Sequence, residues 1–416
     1  MNLAEELIAR GYGEQASAPL ETVLGTKRGV YLGMDPTADS LHVGHLVPLM
    51  LMKRLADAGH RAVFLVGGGT GMIGDPRDSG ERVLLDKRTL EHNKRALRAQ
   101  LQKLMGRKIE MVDNATWLGK LSLLDFLRDT AKHFSVNDLV KRDLIKRRLE
   151  TPDESISFTE FSYSLLQAYD FLTLFKKKGV SVQVGASDQW TNMLSGVELI
   201  RRKLADEAFC FTCPLVTDAA GKKFGKSEGN AVWLDGKKTS PFKFYQFWIG
   251  LPDAGLDTYL KLYTALPLPD IDALMAKHAA APQDREAQET LARLITEVVH
   301  GPAATAQAAA ATDALFGGRA LKDLSREERA VLTAEATTVS VPKAEASKGY
   351  AIADAMVVGG LATSKSDARR LIEGKGVSIN GKPVDTVDPV IRATDFDGGL
   401  AILRKGKRDM AVLVLN

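Results

Sequence analysis

The chain has 416 residues, 45% apolar and 26% charged, a composition that excludes disorder throughout and allows two or three domains. Lys and Arg total 56 against 52 Asp and Glu, so no global basic field marks a polyanion partner. Two cysteines cannot build a disulfide framework, and with neither an apolar signal core nor a membrane-length apolar run they point to a soluble, cytoplasmic protein.

In chain order, Val30-Tyr31-Leu32-Gly33-Met34 reads as a strand and 42–59 as a helix. Ala62-Val63-Phe64-Leu65-Val66 is the next strand, and 89–105 a charged amphipathic helix. Val180-Ser181-Val182-Gln183-Val184 then precedes a helical stretch over 188–204. This alternation predicts a Rossmann-like α/β catalytic domain over 1–229, with a parallel sheet covered by helices. Ligands of such sheets lie beyond the carboxyl ends of the strands, so the loops there carry the chemistry. Residues 230–336 read as an all-helical domain, including the alanine-rich stretch 303–314. The small, polar stretch 337–349, with Pro342, reads as a linker. A small α+β domain follows over 350–416, with a basic helix at 364–374 and a hairpin signal at Asn380-Gly381. From Lys343 onward 12 basic residues face 9 acidic ones, so most of the net charge sits in this tail.

Four constellations stand out. Asp35 to His45 joins the first strand to a helix; Ser40 or Asp39 can cap that helix, and its N-terminus attracts anions. Gly44 lets a flat base approach the backbone, and His42 and His45 can both donate to phosphate oxygens. Pro48 is tolerated only in the first turn. A metal pair from His-x-x-His would need a third ligand that seven scattered histidines do not supply nearby. Next, Gly67-Gly68-Gly69-Thr70-Gly71-Met72-Ile73-Gly74-Asp75-Pro76 contains a literal G-x-G-x-x-G, but Asp75-Pro76 interrupts the helix a dinucleotide fingerprint needs. A tight turn and a close approach to substrate, with Asp75 on an ammonium group, both fit.

Tyr163, Gln167 and Asp170 then recur on one helix face within 158–175, a face without Lys, Arg or Glu between Phe161 and Phe175. Such a face suits a small polar ligand as well as solvent. The loop Gly185-Ala186-Ser187-Asp188-Gln189 adds a carboxylate and an amide. Finally, Gly221-Lys222-Lys223-Phe224-Gly225-Lys226-Ser227 places ammonium groups on a small loop, where they can stabilise charge on a transferring phosphate. An exposed basic turn accounts for it equally well. Cys210-Phe211-Thr212-Cys213 has C-x-x-C spacing but reads as buried strand.

The order of these motifs is informative. His-Val-Gly-His after the first strand, then Lys-Phe-Gly-Lys-Ser, resembles the HIGH and KMSKS signatures of class I aminoacyl-tRNA synthetases, and more narrowly the bacterial-type tyrosyl-tRNA synthetases. Tyr31 to Thr37, Gly74-Asp75-Pro76, Ser157 to Tyr163, Gln167 to Phe171 and Ser187-Asp188-Gln189-Trp190 are similar to that family in the same order. The resemblance implies activation of tyrosine by ATP to tyrosyl-adenylate and pyrophosphate, then transfer to the terminal adenosine of a tRNA. It implies ATP as substrate with Mg2+ as counter-ion, a tRNA partner and a homodimer. His42 and His45 would bind ATP phosphates, and Gly44 would face the adenine. Lys223, Lys226 and Ser227 would cover the departing pyrophosphate, helped by Arg82. Asp75, Tyr163 and Gln167 would hold the substrate ammonium with Thr70 near them; Tyr31 and Asp170 would meet the phenolic hydroxyl. Asp188, Gln189, Asp35 and Gly33 would line the adenylate site.

Departures from the family are Leu32, where a ribose-contacting cysteine is frequent, Phe224-Gly225 for Met-Ser, and Pro48 at an ATP-side position. In the C-terminal unit Lys365, Arg369, Arg370 and Lys382 form an expected RNA-contact stripe, which a solvated helix would also produce. The rival readings are tryptophan activation, which shares both signatures, and a small-molecule nucleotidyltransferase. The Tyr31 and Asp170 pair favours a phenol over an indole.

Overall fold

The computed structural model describes the chain except residues 77–83, 107–108, 218–223, 228–229, 385, 387–388 and 407–408, and gives only the backbone at 226, 227 and 230. It divides into two compact units, one of residues 1–238 and 252–287, the other of 239–251 and 288–416.

The first unit is built on five strands: β1 (Gly29–Met34), β2 (Arg61–Val66), β3 (Glu110–Asp113), β4 (Val180–Ala186) and β5 (Phe209–Cys213). They pair in the order β3-β2-β1-β4-β5, all parallel. Burial on both faces explains why β1, β2 and β4 read as nearly unbroken apolar runs. The chain steps outward from β1 to β3, then returns to the other side of β1 with β4. That reversal makes the crevice between β1 and β4 the topological switch point.

Two helices shape this crevice. Phe158–Lys178 begins with a capping box between Ser157 and Glu160 and ends on left-handed Gly179. Its first turn is pinned by Arg148, which donates to the Glu160 carboxylate at 2.8 Å with both side chains buried. Its inner face packs Phe171 on Tyr31, ring centroids 5.2 Å apart, within a core that includes Val63, Leu65 and Leu199. The second helix, expected to run from 42, starts later. Val43–His45 is a tight 3-10 turn, and the α-helix spans Leu46–Asp57 with Pro48 in its first turn. Neither Ser40 nor Asp39 caps it. His42 caps the tight turn instead, while Ser40 donates to the Leu41 carbonyl and Asp39 pairs with Lys238. The C-x-x-C spacing is the buried strand β5, with both cysteines free.

The second unit departs from the sequence boundaries. The helical stretch 230–336 is shared between the units, because the helix Leu256–Tyr263 packs on the first: the Tyr12 hydroxyl donates to the Leu262 carbonyl at 3.0 Å. Within the second unit, the helices Pro241–Ile249 and Pro302–Thr312 pack together, with Gln246 bonded to Thr312 at 2.6 Å. Alanine side chains permit their close approach.

The expected linker is no linker. Thr338–Val341 is a strand paired in parallel with Asp409–Leu415, and Lys343–Lys348 is a helix. Alternation of Val339 and Val341 with polar residues buries both valines in the C-terminal core beside Ile352, Met356 and Leu403. The strand Val377–Ile379 turns through Asn380 and Gly381, at φ of 48° and 78°, into Lys382–Pro383, as the dipeptide predicts. Among the described residues no helix is long and apolar enough to cross a membrane.

Candidate active site

The sheet delivers its site residues at one edge. Asp35 leaves β1, the glycine run leaves β2, Asn114 leaves β3, and Ser187–Gln189 leaves β4 as a 3-10 turn. The glycines are explained by what surrounds them. A Cβ on Gly67 would overlap the Asp35 carboxylate and the Thr70 hydroxyl, and one on Gly68 would overlap the Asp113 carboxylate. Only the short 3-10 turn Thr70–Met72 follows, so no dinucleotide-type helix grows from this loop.

These residues form two hydrogen-bonded groups. Thr70 donates to Asp35 Oδ1 at 2.7 Å and Tyr163 to Asp35 Oδ2 at 2.8 Å. Asn114, fully buried, donates to both Thr70 and Asp170, at 2.9 and 2.8 Å, and accepts from the Gly69 N–H at 2.7 Å. Trp117 closes the far end, its Nε1 donating to Asp170 Oδ1 at 2.6 Å. On the opposite rim Asp75 accepts from Gln189 at 2.7 Å and from Asn192 at 3.2 Å. The hydroxyl of Tyr163 is therefore turned to Asp35 and not to Asp75. Asn114, Trp117, Gln183 and Asn192 were not singled out from the sequence. Gln183 had a signal, an amide inside an apolar strand, and Asn192 lies one turn after Gln189.

Among the described residues, the Tyr31 hydroxyl, Gln167 Oε1 and Gln183 Oε1 in this crevice are buried polar atoms with no hydrogen-bond partner. Tyr31 and Gln183 are register partners across β1 and β4. Gln167 sits one helical turn before Phe171, which packs on Tyr31. An orphaned buried polar group costs roughly 1–3 kcal/mol, so a cluster of them marks space for a polar ligand. Burial and the nearby Asp170 charge hold the Tyr31 hydroxyl firmly protonated. Burial also lifts the Asp170 carboxyl to about 7, against the opposing bonds from Asn114 and Trp117. One end of the crevice thus offers a phenol and a half-ionised carboxyl, the other a group of carboxylates suited to an ammonium ion.

The two lysine and histidine segments meet beside this crevice. The Val43 N–H donates to the Val232 carbonyl at 3.0 Å, Leu234 N–H to Leu41 at 2.8 Å, and Val232 N–H to Gly225 at 3.0 Å. Lys226 and Ser227 form a two-residue hairpin with Asn230 and Ala231. Gly225, at φ +74°, leaves room that Val43 fills, and a Cβ on Gly44 would lie 2.9 Å from the His42 ring. Each imidazole accepts a backbone N–H at Nδ1, His42 from Gly44 at 3.1 Å and His45 from His42 at 3.2 Å. That fixes the neutral rings as Nε2–H donors. Their centroids are 4.0 Å apart, and among the described residues no cluster adds a third metal ligand.

Arg82 and Lys223 lie outside the described residues, as do the side chains of Lys226 and Ser227. Gly33 and Asp188 stand at the strand ends as expected. Leu32 is buried in the sheet. In the C-terminal unit Lys365 and Arg370 share the helix Lys365–Glu373 with Arg369, but each has an acidic partner: Asp354 at 2.6 Å and Asp367 at 2.9 Å. Lys382 is exposed on the hairpin.

Comparison with known proteins matches residues 25–317 to the model of class I tRNA synthetases for tryptophan and tyrosine. Residues 334–413 match the C-terminal domain of tyrosine–tRNA ligases. The chain is 44% identical to the tyrosine–tRNA ligase of Roseiflexus castenholzii, covering 98% of this chain and 97% of that one. It is also 44% identical to that of Leuconostoc citreum, covering 98% of each. Among solved structures, a C-terminally truncated mitochondrial tyrosyl-tRNA synthetase of Aspergillus nidulans superposes with a TM-score of 0.69 at 32% identity, covering 75% of this chain and 94% of that one.

The raised Asp170 carboxyl has a measurable consequence. An unfolded aspartate loses its proton near pH 4, whereas folded Asp170 keeps it to about 7. Between these values the folded state binds more protons, so its stability falls as pH rises and stays at the lower level above that window. The loss is expected to be no more than about 4 kcal/mol. Urea titrations of the ligand-free chain from pH 4.5 to 8 should show this slope, and Asp170→Asn should flatten it. Equal slopes in both proteins would mean that Asp170 titrates normally.

Proposed function

Since the chain belongs to the tyrosine–tRNA ligase family of class I synthetases, its reaction is the ATP-driven attachment of tyrosine to tRNA, and we propose a division of that work among the residues described. The tyrosine carboxylate attacks the α-phosphorus of ATP and expels pyrophosphate. A ribose hydroxyl of the terminal adenosine then attacks the aminoacyl carbonyl and displaces AMP. Neither step requires a protein nucleophile; both depend on placement and on charge stabilisation.

In our reading Tyr31 and Asp170 take the phenolic hydroxyl, supported by the unpartnered Tyr31 oxygen close enough to feel the Asp170 charge. That observation carries the assignment. Asp75 and Gln167, with Tyr163, Thr70 and Gln189 around them, receive the rest of the amino acid. Asp35, Asp188 and Gly33 line the adenylate. His42 and His45 donate from Nε2 to the phosphates, Gly44 faces the adenine, and Lys223, Lys226, Ser227 and Arg82 meet the leaving pyrophosphate. Mg2+ enters as the counter-ion of ATP. We place the reaction in the cytoplasm, with its tRNA partner.

Two surfaces extend the proposal. The basic residues Lys365, Arg369, Arg370 and Lys382 contact the RNA backbone, where such contacts supply affinity more than sequence choice. A second copy of the chain covers the segment between β3 and the helix Phe158–Lys178. There Leu124 and Phe158 are 75% and 77% exposed, with Leu123, Leu127 and Val136 nearby in sequence. Apolar side chains so grouped usually mark an interface.

Three measurements test these assignments. Asp170→Ala should abolish the preference for tyrosine over phenylalanine in ATP–pyrophosphate exchange far more than it raises the KM for ATP. A site built to bond a hydroxyl discriminates by about 10⁴–10⁵, a magnitude first drawn from this enzyme family; equal losses for both amino acids would refute the assignment. A chain ending at Thr337 should form adenylate normally but charge tRNA poorly, and unchanged charging would remove the RNA role of the C-terminal unit. Sedimentation equilibrium should give twice the 45.2 kDa chain mass, falling to the monomer in Leu124→Asp. A monomeric parent protein would end the dimer proposal.

A further inference from the structure

Phe224, between the lysines of the second signature, has a seat outside the loop. Its ring stacks on Tyr259 with centroids 4.9 Å apart and 27° between planes, and leans on Tyr263 at 6.1 Å. Both tyrosines belong to the helix Leu256–Tyr263. The carboxyl end of that helix is gripped from three sides. Arg10 donates to the carbonyls of Lys261 and Leu266 at 3.1 and 2.7 Å, and Tyr12 to that of Leu262 at 3.0 Å. Arg54 donates to Thr264, and to Lys261 at 3.4 Å. Cationic donors at a helix carboxyl end satisfy its open carbonyls and complement its dipole.

Arg54 closes a circuit. It lies in the last turn of the helix Leu46–Asp57, which directly follows the tight turn bearing His42 and His45. The turn that leads into this helix meets the lysine loop: the Val43 side chain fills the space beside Gly225, and Val232 bridges the Val43 N–H and the Gly225 carbonyl. The other end of the helix fixes the tyrosines beneath the Phe224 ring. The loop is thus tied at two points to one continuous segment, the tight turn that presents the imidazoles and the helix that follows it.

We propose that Tyr259 is a positioning residue for adenylate formation: through Phe224 it sets the position of the loop segment that leads into Lys226, with Arg10, Tyr12 and Arg54 holding the helix beneath it. The inference rests on the reading of this loop as the pyrophosphate cover. It differs from a general packing role in one respect. The stack is built from the loop and the helix Leu256–Tyr263, whereas the tyrosine pocket is built from the ends of β1 to β4, so disturbing the stack should alter the chemical step and leave amino-acid binding alone.

The test uses the full-length chain with Tyr259→Leu and Tyr259→Phe. Single-turnover adenylate formation at saturating ATP and tyrosine should slow about tenfold in Tyr259→Leu, the order expected for a lost ring stack. The tyrosine dissociation constant, read from intrinsic fluorescence, should not change. Tyr259→Phe, which keeps the ring, should retain the parent rate. An unchanged rate in Tyr259→Leu, or a tyrosine affinity that weakens in step with the rate, would overturn the proposal. Should Tyr259→Leu fail to fold, Phe224→Leu removes the stack from the loop side and is judged by the same two readouts. Lys226→Ala separates the two levels. Loss of rate in Lys226→Ala with none in Tyr259→Leu rejects the positioning role alone, whereas an intact rate in Lys226→Ala rejects the loop's assignment.

Discussion

Because all five strands of the first unit run parallel, every one of them releases the chain at the same edge. That constraint gathers Asp35, Thr70, Asp75, Asn114 and Gln189 from stretches of sequence more than a hundred residues apart. A backbone fixed by ladder hydrogen bonds holds them, so their relative positions need little further support from the loops. The site is an outcome of strand direction before it is an outcome of any single side chain.

On this edge the protein keeps groups that folding alone would not favour. Among the described residues Asp170 is buried with two donors and no paired cation, and Tyr31, Gln167 and Gln183 present buried polar atoms without partners. Each is a cost in the free chain and an offered bond to a ligand that carries the complementary group. Asn114 ties the helix face to the strand-end loops, since one amide contacts Asp170, Thr70 and the Gly69 N–H.

The nucleotide side follows a different logic. Its parts are short and glycine-containing, and backbone bonds from Leu41 and Val43 to 232–234 join the two signatures. Glycine appears at 44 and 225 because a ring and a valine methyl occupy the space a side chain would need. This leaves Lys226 on a short strand pair that is anchored at its base, a design suited to a group that must meet a transient charge.

The sequence by itself determined four of the five sheet strands, the site helix with its Tyr163, Gln167 and Asp170 face, and both signature segments, because periodicity, capping residues and short motifs are local properties. It misled at Ser40 and Asp39, where capping chemistry was present but His42 held the cap position. It also misled at 337–349, where a small polar strand was recognisable only through its partner at Asp409–Leu415. Strand β3 passed unread because its four residues are bracketed by charges, and with it went Asn114 and Trp117. Only the tertiary structure decided which polar groups meet and which are left without a partner. Those contacts join residues far apart in the chain, and no local pattern encodes the distance between Asn114 and Asp170 or between Phe224 and Tyr259.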